Sequence, residues 1–109
     1  MLDELQKIVD NVNSRIETDE KVRSVAEAKD RTIQLEFTDE KNYVVEMKGG
    51  RALPPREGTV EDPTIKVRTD TKTMDKLIKK KLNPLMAYAM KKIKVDGSMD
   101  DIMILKDFF

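Results

Sequence analysis

The sixteen residues from Leu82 to Gly97 restrict the fold more than any other part of the chain. A helix stop, a cap, a short helix, a short strand and a tight turn follow one another there. Asn83 is a good helix N-cap, and Pro84 suits the first helical position, where no amide donor is needed. The apolar run Leu85–Met90 is long enough only for a short helix. Ile93 and Val95 then alternate with Lys94 and Asp96, the pattern of a half-buried strand, and Asp96-Gly97 turns the chain. Helix and strand are thus forced into close succession, and the rest of the fold has to accommodate both.

Upstream, Leu2, Leu5, Ile8, Val9, Val12 and Ile16 form one apolar stripe, the mark of an amphipathic helix docked on other structure. That helix is expected to end near Glu17–Asp19. A loop or short second helical piece follows, anchored by Val22, Val25 and Ala26. Thr32–Phe37 alternates polar and apolar residues without a fault and reads as a strand. Thr38–Asn42 is a turn, and Tyr43–Met47 returns as the second arm of an antiparallel hairpin. Tyr43, Val45 and Met47 share one face, and Val44 points to the other. Two prolines place Arg51–Pro55 at a sheet edge. Pro63–Arg68 is a further strand. Met74, Leu77, Ile78 and Leu82 mark a helix that Asn83-Pro84 ends. Ser98 caps a last helix whose apolar side is Met99, Ile102, Met103 and Leu105. Strands gathered first and helices later argue an α+β domain with a mainly antiparallel sheet.

At 109 residues the chain makes one domain. It contains no Cys and no His, which removes disulfides, thiolate nucleophiles, the usual zinc sites and histidine-based dyads. Five adjacent carboxylate pairs, Asp3/Glu4, Asp19/Glu20, Asp39/Glu40, Glu61/Asp62 and Asp100/Asp101, read as solvated caps in hydrophilic surroundings. Acid–base catalysis needs a buried group instead. No enzyme activity, metal or cofactor is therefore expected. The longest apolar run is six residues, too short to span a bilayer, and neither end resembles a targeting signal, so a cytoplasmic location is expected.

Net charge is zero, but its distribution is polarised. Residues 1–62 hold 10 basic and 15 acidic side chains, net −5, and residues 63–109 hold 11 and 6, net +5. Lys79, Lys80, Lys81, Lys91, Lys92 and Lys94 form the basic feature. With no Trp and little aromatic interleaving, nucleic acid is not the expected partner. A solvated face is one reading of these lysines, and transient contact with an anionic membrane surface is the other. Five of the seven Met fall after residue 70, where flexible thioethers suit an irregular core or an adaptable binding surface. With 5% aromatic residues the core lacks bulky fillers, which leaves room for a cavity.

Asp62–Val67, Met74-Asp75-Lys76-Leu77, Leu82-Asn83-Pro84, Ala87-Tyr88 and Lys92–Gly97 together resemble the C-terminal half of the sterol carrier protein 2 family. The match covers about residues 62–105. Lys81 and Lys91 stand where that family commonly has Gly, and Tyr88 where it has Phe. The resemblance implies a five-stranded sheet covered by helices around an apolar tunnel that takes a lipid, fatty acyl chain or acyl-CoA. It places Ile33 and Leu35 on the sheet side of the tunnel. Met74, Leu77, Ile78 and Leu82 would line it from one helix, and Met86 and Met90 from the next. Met99, Ile102 and Met103 would cover it from the last helix. The expected function is lipid binding and transfer. The alternatives are a protein-interaction module of the same fold with a filled core, and an enzyme using Tyr88 or the carboxylates.

Overall fold

The computed structural model of the protein describes residues 1–104. Leu105, expected on the last helix, lies outside the described residues, as does the Asp107-Phe108-Phe109 terminus. The chain opens with helices α1, Leu2–Thr18, and α2, Glu20–Ala28, separated only by Asp19. Asp19 ends one helix and caps the next, its carboxylate accepting from the Lys21 and Val22 amides. Four strands follow: β1, Arg31–Phe37; β2, Tyr43–Lys48; β3, Arg51–Ala52; and β4, Arg56–Glu57. Then come β5, Ile65–Thr69; α3, Thr71–Ile78; α4, Pro84–Ala89; β6, Lys94–Asp96; and α5, Met99–Met103.

The strands form one sheet in the order β3-β2-β1-β5-β6, with the two-residue β4 pairing β2 off this path. Neighbouring strands run antiparallel except β1 and β5, which are parallel. Register places Val45, Ile33 and Ile65 in one row, and Tyr43, Leu35, Val67 and Val95 in the next. All seven are buried and face the helices, as the alternation of Thr32–Phe37 requires. α1 lays Leu5, Val9, Val12 and Ile16 against this face. Its placement is fixed at the sheet edge, where Asn13 Nδ2 donates to the Ala52 carbonyl (2.9 Å) and Asn13 Oδ1 accepts from the Ala52 amide (2.8 Å). One side-chain amide thus pairs both backbone groups of an edge residue.

The opposite face is mostly wet and charged, with Lys66 paired to Glu36 and Arg56 to Glu46. Val44 points to this face and is nonetheless fully buried. The neighbouring Gln34 explains it. Gln34 Nε2 donates to the Tyr43 and Gly58 carbonyls, and its Oε1 accepts from the Val60 amide. That network pins the loop after β4 over Val44.

The helix expected to run to Leu82 stops at Ile78. Lys80 adopts φ 58°, and the Lys81 amide reaches back to the Lys76 carbonyl while Lys80 reaches Leu77. These two bonds form a Schellman motif. α4 ends the same way, with Lys91 at φ 61°, Lys92 bonded to Ala87 and Lys91 to Tyr88. The glycine-favouring conformation therefore falls on Lys80, one residue before the expected Lys81, and on Lys91 as expected. Asn83 and Ser98 both act as the caps the sequence announces.

Candidate functional site

Between the helix-facing side of the sheet and helices α1, α3, α4 and α5 lies an apolar cavity with an open mouth. Its cavity volume is about 60 Å³, and the space measured outward through the mouth, open solvent included, is about 820 Å³. The sheet contributes Ile33, Leu35, Val45, Val67 and Val95, with Ala52 at the edge. α1 contributes Leu5, Ile8, Val9 and Val12, and α3 contributes Met74 and Leu77. Pro84, Leu85 and Tyr88 of α4, Ile93 before β6, and Ile102 of α5 complete the wall. Among these residues only Tyr88 carries a side-chain oxygen or nitrogen. Such a lining can desolvate an apolar chain and can hold no buried charge.

Of the residues expected around a tunnel, the structure brings Ile33, Leu35, Met74, Leu77 and Ile102 together on this wall. Ile78 and Leu82 instead pack partly buried against the core and do not line the cavity. Met86, Met90, Met99 and Met103 are exposed. α4 turns because Ala87 is its single buried residue, so Leu85 and Tyr88 flank the cavity while Met86 and Met90 look outward. The contribution of α1 was not foreseen. Its stripe signals burial, and nothing in a stripe distinguishes packed core from cavity wall. The lysines expected to form a docking face, Lys79, Lys80, Lys81, Lys91, Lys92 and Lys94, are all exposed. Lys79 is paired with Asp75 at 3.0 Å.

One carboxylate departs from its expected solvated role. Asp101 is buried at 4% exposure. Its Oδ1 accepts from Arg31 Nε (3.0 Å), and its Oδ2 from Lys29 Nζ (3.0 Å) and Ser98 Oγ (2.8 Å). Burial pushes this carboxyl up, but the bonds from Lys29, Arg31 and Ser98 together hold it below the usual carboxylate range. Arg31 is itself buried and also donates to the Val25 carbonyl. The pair ties α5 to the end of β1, and neither residue lines the cavity, so it anchors a covering helix and supplies no acid or base to the site. Among the described residues no cluster could hold a metal ion, and no helix is long and apolar enough to cross a membrane.

A mixed sheet covered on one face by helices, with an apolar cavity between the layers, defines the class: an α+β domain built around an internal apolar site. The match to a family model narrows it. Residues 5–109 match the SCP-2 sterol transfer family, and the chain belongs to that family. Solved structures agree on the fold. Sterol carrier protein 2 like 2 from Aedes aegypti aligns with a TM-score of 0.62 at 14% identity, over 97% of this chain and 96% of that one. A sterol carrier protein 2 from Aedes aegypti, solved in complex with palmitate, aligns with a TM-score of 0.64 at 18% identity, over 96% and 93%. The sec-alkylsulfatase Pisa1 from Pseudomonas sp. contains a similar domain, TM-score 0.64 at 21% identity. The match covers 80% of this chain, which spans only 14% of that protein. Against curated protein sequences no significant match is found.

Proposed function

We propose that this chain binds and transfers a lipid with a single apolar body, a fatty acyl chain, acyl-CoA or sterol-like molecule. The observation that carries the reading is a cavity whose wall, Tyr88 apart, is hydrocarbon and thioether. Membership of the SCP-2 sterol transfer family supports it, and so does the palmitate named for one similar structure. In this reading a long chain enters through the mouth and lies along the apolar wall, with its polar end held outside. Burying sixteen carbons at about 0.8 kcal/mol each releases roughly 12 kcal/mol gross. Ordering costs of several kcal/mol leave micromolar affinity. The interaction-module alternative requires a filled core, and the cavity weighs against it.

In this reading the exposed lysines hold the protein transiently at anionic headgroups while the ligand exchanges. The deciding experiment uses delipidated protein. It should bind a fluorescent fatty acid with micromolar affinity and move labelled lipid between vesicles. Protein that does neither ends the proposal. Native mass spectrometry of gently purified protein identifies the ligand through any co-purified lipid.

A further inference from the structure

We infer that α4 is a bilayer-insertion surface through which the cavity opens into anionic phospholipid. Lysines alone would keep a protein at headgroup level, but α4 presents something they cannot explain. It buries only Ala87 and leaves Leu85, Met86 and Tyr88 exposed, with Met90 just beyond it at 54% exposure. A six-residue helix that is apolar around nearly its whole circumference lacks the polar face of an ordinary surface helix. Lysines frame it on both sides, Lys79, Lys80 and Lys81 before it and Lys91 and Lys92 after it. No Asp or Glu occurs between Lys76 and Val95. An apolar centre within a cationic rim matches a leaflet in both respects, hydrocarbon beneath an anionic headgroup layer. A protein partner fits less well, since about 800 Å² per side is the usual interface and α4 makes fewer than two turns.

The mouth lies on the same surface, because Leu85 and Tyr88 both line the cavity and remain exposed. A chain leaving the cavity beside inserted α4 would enter hydrocarbon without crossing water. α1 offers no comparable surface, for its stripe is buried and its first turn carries Asp3 and Glu4. The passage of ligand rests on the lipid-carrier reading above, whereas insertion does not.

The chain has no Cys, so single cysteines at Met86, Met90 and, as control, Leu53 can carry an environment-sensitive fluorophore. Phosphatidylcholine vesicles containing phosphatidylglycerol should blue-shift the probes at 86 and 90. Chain-brominated lipid should quench them, while the probe at 53 stays aqueous. Unlabelled Met86→Ser/Met90→Ser, which changes no cavity-lining residue, should lose about tenfold in vesicle partitioning with unchanged thermal unfolding. Probes that remain aqueous on vesicle-bound protein would overturn insertion in favour of purely ionic docking. Failure to bind anionic vesicles at all would overturn it in favour of a protein partner. Fatty-acid binding in solution is measured on the same samples. Its loss would refute the carrier reading and leave insertion to stand or fall on the probes.

Discussion

Lys80 and Lys91 each occupy the left-handed position that closes a Schellman motif, with φ of 58° and 61°. For a side chain bearing a Cβ that conformation costs roughly 1–2 kcal/mol, and replacement by Gly returns part of it to unfolded-chain entropy. Lys80→Gly and Lys91→Gly should therefore stabilise the fold by about 0.5 kcal/mol each, read as a higher urea midpoint at unchanged slope. The same substitutions remove two charges from the basic face and should slow transfer to anionic vesicles, so stability and transfer move in opposite directions. Asp101 makes the contrasting case. Asp101→Asn leaves Arg31 buried with a weakened partner and should cost about 3 kcal/mol. Because its folded-state carboxyl lies below the ordinary range, its contribution is complete above the unfolded value, about 3.9, and is lost as pH falls through the folded one. Urea titrations should show wild type and Asp101→Asn separated from pH 7 down to about 4, then converging at lower pH. A gap that persists unchanged to pH 2.5 would mean that the carboxylate charge is not what holds α5.

At the level of elements, the cavity is a gap between layers that the side chains do not fill, and Ala52 is its smallest lining residue. Ala52→Phe puts a ring into that gap and leaves intact the Asn13 bonds, which use only backbone atoms of residue 52. Fatty-acid affinity should fall at least tenfold while the melting temperature holds. Unchanged affinity would place the ligand elsewhere. Those elements were largely legible in the sequence, because alternation in Thr32–Phe37, the Asn83 and Ser98 caps and the stripe of α1 are all local signals. Long-range partnerships were not. Asn13 meets Ala52 across 39 residues and Asp101 meets Arg31 across 70, and no spacing rule connects them. The facing of α4 was illegible for a different reason. A helix apolar on every side carries no moment to aim it, so Met86 and Met90 were expected on the cavity wall, where Leu85 and Tyr88 stand instead while staying partly exposed.

Across the whole molecule the charge is divided, net −5 over residues 1–62 and net +5 over residues 63–109. The division puts exposed Lys91, Lys92 and Lys94 on the chain leading from α4, whose Leu85 and Tyr88 line the cavity, into β6. None of the three lines the cavity. Their charges act on an approaching surface and are screened over about 8 Å at physiological ionic strength. Each Lys near an anionic leaflet is worth about 1 kcal/mol, so reversing three to Glu should reduce vesicle partitioning by at least about a hundredfold. Transfer to phosphatidylglycerol-containing vesicles should slow accordingly, whereas transfer to neutral vesicles should change little. Fatty-acid affinity in solution should remain within about twofold, because the cavity wall is untouched. Raising salt on the wild type should reproduce much of the slowing without altering affinity. If affinity and transfer fall together in the triple variant, these lysines support the fold or the pocket, and the polarity of the molecule does not direct it to membranes.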